Sequence, residues 1–252
     1  MNLSKNSSRE DILKYVKNSP LTFLGKFSDA TWAQPYLDEA AKRAAKECPY
    51  IFLFDFSDKS WSQLYIDEAA KIAAKESPLS FLHNFLNKPW VQPYIDEAAK
   101  EAAKKDPFYF LSDFSDKPWA RPYIDEAAKR VIKEDPISFL LRYSDKPWAQ
   151  PYIGDVISEA TKLDPQYLLE RLADKPWAQP YIGEAAKIAA REDSFYFLSK
   201  FFHKPWAQPY LDEAAREVAK KNPKYFLENW AARFPHHINF ALFSLGDKNV
   251  SV

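Results

Sequence analysis

Three features of the sequence predict an all-α fold made of stacked helical hairpins. Trp32, Trp61, Trp90, Trp119, Trp148, Trp177 and Trp206 stand 29 residues apart, and each opens a copy of one unit. All but the fifth of these copies carry an alanine-rich stripe on a helical period, followed by a shorter segment rich in Phe and Leu. Prolines mark the joints, with 19 of them against four glycines. A fixed period of roughly 20–50 residues signals a stacked array. The expectation is therefore a right-handed α-solenoid of 29-residue two-helix repeats with N- and C-terminal caps.

The copy opened by Trp90 shows how each element is specified. From Pro93 to Lys105 the sequence reads as a helix, with Ile95, Ala98, Ala99, Ala102 and Ala103 on one apolar stripe. Pro93 suits a first helical position, where its missing N–H costs nothing. Asp96 and Glu97 put negative charge in the first turn, and Lys104 and Lys105 put positive charge in the last, complementing the macrodipole. Asp96–Lys100 and Glu101–Lys105 have the i, i+4 spacing of helix ion pairs. A second helix then starts at Asp106-Pro107, a cap followed by a first-turn proline. That cap position reads Ser19, Cys48, Ser77, Asp106, Asp135, Asp164, Asp193 and Asn222 along the chain, and Cys48 is the poor acceptor among them. Phe110, Leu111 and Phe114 form the apolar edge of this helix. Neither helix is long enough to be stable alone in water, so stacking has to supply the burial.

In chain order, residues 1–31 read as a capping repeat. Ser19-Pro20 with Phe23, Leu24 and Phe27 match the second helix, whereas the segment from Ser8 to Lys17 is polar and lacks the alanine stripe. Residues 32–229 hold seven hairpins. The fifth departs from the pattern: Gly154 enters its first helix, and Val156 and Ile157 replace two close-packing alanines, which predicts a local change in packing distance. Residues 230–252 should form a capping helix from His236 to Leu245, closed by Gly246, and a loose tail from Asp247. The whole is expected to be a single domain, 1–252.

Composition narrows the function. Lys plus Arg and Asp plus Glu are 35 each, so the net charge is zero, which argues against a general nucleic-acid binder. One cysteine rules out an internal disulfide framework. No apolar run approaches the ~18 residues of a membrane helix. The polar start carries no signal-peptide core, which points to the cytoplasm, or to a secreted or periplasmic protein if a leader has been removed.

No constellation in the sequence points to catalysis. Two neighbouring imidazoles on a helix, His236 and His237, do not face one another, and no further ligand lies at metal-site spacing. His203 takes a turn slot filled by Asp in other copies, and Cys48 lacks an activating histidine. The Asp–Glu pairs, such as Asp67-Glu68 and Asp96-Glu97, recur in every regular copy and read as a solvated first turn. No glycine-rich phosphate loop is present, and no cofactor or metal is expected. Each Trp sits at the hinge between hairpins and reads as a wedge, with a stacking platform for sugars or bases as the competing reading.

Positions that vary between copies are released from packing and can carry recognition. On the second helix, the residues three and seven after the cap form such a set. They include Tyr109, Ser138/Arg142, Tyr167/Arg171, Tyr196/Lys200 and Tyr225/Asn229. Tyr109, Arg142, Tyr167, Arg171, Tyr196, Lys200 and Tyr225 are the expected partner-binding residues, since Tyr and Arg dominate interface hot spots. Consecutive Arg142, Arg171 and Lys200 would favour an acidic, extended partner segment.

Over nearly its whole length the array resembles the α-solenoid class, which includes tetratricopeptide, Sel1-like and HEAT-like repeats. The likeness is architectural: the 29-residue period and the motif W-A-Q-P-Y-I-D-E-A-A-K belong to none of those signatures. It implies a non-catalytic protein- or peptide-binding scaffold. The alternatives are a glycan- or nucleobase-binding array, and a non-catalytic segment of a larger enzyme system.

Overall fold

A computed structural model describes residues 3–248, with side chains through residue 245. Among these residues there are 17 α-helices and no strand. The helices pack on their neighbours in sequence, and the fold is an all-α solenoid of helical hairpins. The chain forms two compact units, Met1–Arg130 and Val131–Val252.

The N-terminal unit contains α1 (Arg9–Asn18), α2 (Pro20–Phe27), α3 (Gln34–Glu47), α4 (Pro49–Phe56), α5 (Gln63–Glu76), α6 (Pro78–Phe85), α7 (Ile95–Lys105) and α8 (Pro107–Phe114). Helix α9 (Arg121–Glu134) carries the division between the units. First helices stack on first helices, α3 on α5 and α5 on α7, while α4 and α6 each pack against the first helix that follows. The buried face of α7 is Ile95, Ala98, Ala99, Ala102 and Ala103, the five residues that the periodicity selects. Alanine there lets helix axes approach closely. The second helices fill the space between with Phe and Leu: Phe110 and Leu111 of α8 are wholly buried, each worth about 1.5–3 kcal/mol of transfer free energy.

The C-terminal unit continues with α10 (Pro136–Tyr143), α11 (Ile153–Leu163), α12 (Pro165–Leu172), α13 (Ile182–Glu192), α14 (Ser194–Phe201), α15 (Gln208–Lys221), α16 (Pro223–Asn229) and α17 (Ile238–Lys248). Val156 and Ile157 are buried at the alanine positions of α11. Helix α11 packs less extensively on α13 than α13 does on α15, as the bulkier residues require. A groove of about 280 Å³ opens there, lined by Gly154, Ile157, Thr161, Tyr181 and Ile188 among others.

Each of the seven tryptophans on the 29-residue period lies in a short 3-10 turn between hairpins and is half-buried. In six of the seven, all but Trp177, the ring rests on the i, i+4 aromatic pair of the preceding second helix. Before Trp177, α12 has Leu168 and Leu172 in place of that pair. Trp90 lies 6.2 Å from Phe81 and 5.4 Å from Phe85, and Trp206 lies 6.3 Å from Phe197 and 5.1 Å from Phe201. The same arrangement recurs at Trp32, Trp61, Trp119 and Trp148. These contacts set the joint between consecutive hairpins.

Several local expectations need correction. Pro93 lies inside the 3-10 turn Pro89–Tyr94, before α7 rather than at its first position. The caps divide into two groups. Asp135, Asp164, Asp193 and Asn222 accept from the backbone N–H three residues on, whereas Ser19, Ser77 and Asp106 make no side-chain cap bond. The second group still starts its helices, because proline at the first position leaves fewer N–H groups to satisfy. Helix α1 gains a cap from Ser8, whose hydroxyl accepts from Asp11 N–H at 3.1 Å. At the other end, Gly246 lies within α17, which runs on to Lys248, so Asp247 is helical rather than the start of a tail. Residues 249–252 of that expected tail lie outside the described residues. The outer face of α17 exposes Phe240, Leu242 and Phe243.

Candidate functional site

The second-helix stripe follows from the register of α12 and α14. Residues three and seven after each cap fall one turn apart, on the side of the helix away from the Phe/Leu face. In the C-terminal unit the structure places Arg142, Arg171 and Lys200 exposed, and Tyr167, Tyr196 and Tyr225 half-buried. Tyr109 is exposed on α8 of the N-terminal unit.

The tyrosines are engaged rather than presented freely. The guanidinium of Arg171 lies over the Tyr167 ring, 5.3 Å from its centre, which holds both side chains against α12. Tyr196 donates its hydroxyl hydrogen to Glu170 of the preceding hairpin, and Lys200 lies 3.9 Å from the same carboxylate. Tyr225 packs on Phe195 at 4.6 Å between ring centres.

Arg171 and Lys200 are brought together in a cleft of about 240 Å³ between α12 and α14. Glu170, Asp174, Lys204 and Trp206 complete its polar rim. Lys204 and the Trp206 indole N–H, at 3.2 Å, both bond Asp174. Lys204 is the main reason the Asp174 carboxyl is held below the usual carboxylate range. Three cations against two carboxylates leave the rim with one net positive charge. A carboxylate entering this cleft would exchange places with Glu170 or Asp174, so it would not meet bare cations. Lys204, Asp174 and Glu170 are absent from the sequence-derived site. The signal for two of them was present: an Asp and a Lys 30 residues apart also pair at Asp58–Lys88, at 2.7 Å.

The Asp–Glu pairs are more than a solvated turn. Asp67 accepts from the Tyr94 hydroxyl at 2.5 Å, 27 residues on. Asp38 accepts in the same way from Tyr65, and Asp96 pairs with Tyr123. The ladder is interrupted where Gly154 and Gly183 replace the aspartate, leaving Tyr181 and Tyr210 beside glycine. At its last position, Asp212 meets two histidines instead of a tyrosine. His236 Nε2 and His237 Nε2 both approach Asp212 Oδ1, the latter at 3.0 Å, and the imidazole centres are 4.2 Å apart.

This corrects the reading of His236 and His237 as a pair that cannot converge. They sit in a 3-10 turn, Pro235–His237, and the carboxylate they both approach comes from α15. Helical spacing is the wrong template there, and a carboxylate 24 residues away in sequence carries no local signal.

No family model, curated protein or solved structure matches the chain. Among the described residues no helix is long and apolar enough to cross a membrane.

Proposed function

We propose that the chain is a non-catalytic scaffold that binds a protein or peptide along the second-helix edge of its C-terminal unit. Its natural ligand on this reading is an acidic, extended segment. The observation that carries the reading is the cleft where Glu170, Arg171 and Lys200, which vary between copies, meet the recurrent Asp174, Lys204 and Trp206. Arg142 extends the row of cations by one hairpin. Tyr167, with Arg171 stacked on it, offers flat apolar surface beside the charge. The Trp row is less suited to stacking a ligand, because aromatic pairs of the preceding helices already cover part of six of its seven indoles.

A peptide-display selection against the whole chain tests this reading. It should recover acidic sequences whose binding weakens as salt rises from about 0.05 to 0.5 M, since such contacts are screened over roughly 10 Å at 0.1 M. Recovery of neutral or basic sequences alone, or salt-independent binding, would contradict it.

A further inference from the structure

We propose that Asp212, His236 and His237 form a binding site for one divalent transition-metal ion of the zinc class, tying the C-terminal cap to the last full hairpin. Their ligand atoms, two imidazole nitrogens and one carboxylate oxygen, all lie within 4.8 Å of one another. Donors bound to one ion at about 2.0–2.2 Å cannot be more than about 4.4 Å apart. The trio therefore needs only a small side-chain rotation to close on an ion.

The arrangement is specific in three ways. First, both imidazoles direct the same ring atom, Nε2, at a single carboxylate oxygen. A hydrogen-bonding role needs only one imidazole, as His83 shows by pairing alone with Asp113 at 3.0 Å. Second, the residues come from two elements: Asp212 from the first turns of α15, the histidines from the turn that opens α17. Third, the pair is anchored unequally. His237 is nearly buried, with 10% of its side chain exposed, while His236 and Asp212 are 57% and 63% exposed. The buried ring packs edge-on toward Phe226, so one ligand is fixed and the other two can adjust around an ion. The same first-helix position binds a tyrosine in earlier repeats, so the end of the ladder is where its chemistry changes from hydrogen bonding to ligation.

Two nitrogens and one oxygen suit a borderline ion such as Zn²⁺ and disfavour Ca²⁺ and Mg²⁺, which take oxygen ligands. Three protein ligands leave a fourth position for water.

The test titrates ZnCl₂ into the whole chain carrying Cys48→Ser, at neutral pH, with calorimetry and thermal melting as readouts. One equivalent should bind saturably and raise the Tm, since an ion bound only by the folded state stabilises it. Asp212→Asn, His236→Gln and His237→Gln should each weaken binding by roughly tenfold or more, at least the loss expected for an outer-shell partner. His83→Gln and His203→Gln should leave it unchanged, and excess CaCl₂ should not displace the zinc. Melting in chelator shows whether each variant is folded, and the exposed Asp212 and His236 keep the test decisive if His237→Gln destabilises the cap. Absence of saturable binding would overturn the proposal. So would binding that survives loss of Asp212 and His236, binding that follows His83 or His203, or displacement by calcium.

Discussion

Tyr94 donates its phenolic hydrogen to Asp67 across one repeat, at 2.5 Å. The tie does two jobs that the sequence presents as unrelated. It commits the first-turn aspartate of one helix to the next hairpin, and it holds the phenol in its neutral form. Desolvation first, and then the Asp67 hydrogen bond, push the Tyr94 hydroxyl up to about 12. Tyr65 is raised likewise, to about 12, by burial and by Asp38.

The alkaline limit of stability follows. An unfolded tyrosine ionises near pH 10, so a phenol whose folded value is higher favours the folded state while it is protonated. That contribution is complete below about pH 10 and is lost as pH rises toward 12. In melts across this range, the Tyr65→Phe/Tyr94→Phe double variant should lose less of its Tm between pH 10 and 12 than the wild type. Parallel curves would show that the tyrosine ties do not titrate with folding.

The caps predict a contrast between two aspartates that look equivalent in sequence. Asp164 accepts from Tyr167 N–H at 2.9 Å, so Asp164→Ala should cost about 1 kcal/mol. Asp106 makes no such bond, and Asp106→Ala should stay within about 0.5 kcal/mol. Urea denaturation of the two variants decides it, and equal losses would refute the distinction.

The glycines of α11 and α13 give a second contrast. A Cβ at Gly154 would meet Tyr181 Cε1 at 3.5 Å, an ordinary contact, whereas one at Gly183 would meet the Tyr210 hydroxyl at 3.0 Å. Gly154→Ala should therefore realise most of the ~0.5–1 kcal/mol helix-propensity gain. Gly183→Ala should realise less, because the Tyr210 side chain has to shift. Chemical denaturation showing Gly183→Ala as the more stabilising change would contradict this packing.

Tryptophan substitutions separate wedge from hydrogen bond. Trp90 and Trp206 rest on equivalent Phe pairs, but only the Trp206 indole of the two donates to a carboxylate, Asp174. Trp206→Phe should cost about 0.5–1 kcal/mol more than Trp90→Phe, toward the low end because the acceptor is exposed. Equal Tm losses for the two would remove that bond from the account.

Much of this was legible in the chain. The Trp period marks the hairpin and the apolar register from Ile95 to Ala103 marks its buried face, because packing repeats wherever the side chains repeat. Apart from the recurrent Asp–Lys spacing, contacts between repeats were not legible. Asp67 reads as first-turn charge from its own helix, and nothing local shows that Tyr94 reaches it. Asp106 reads as a cap because its type is right, yet a cap depends on a side-chain angle that residue type does not fix. An α-helical template keeps His236 and His237 apart, and their 3-10 turn gives them a different direction. The cationic stripe was visible in part: Arg171 and Lys200 do share a cleft, but Glu170 and Asp174 temper it.

The most direct measurement of the central claim uses the tightest peptide from the display selection. Its affinity for the wild type is compared with that for the Arg142→Gln/Arg171→Gln/Lys200→Gln variant. Glutamine removes charge without setting a new acid beside Glu170, which already holds Lys200. Helicity should be unchanged and the Tm should move by only a few degrees, since all three side chains are exposed. A scaffold that binds along this edge predicts affinity at least about tenfold weaker with a shallower salt dependence. Full affinity with an unchanged salt dependence would place the binding surface elsewhere on the chain.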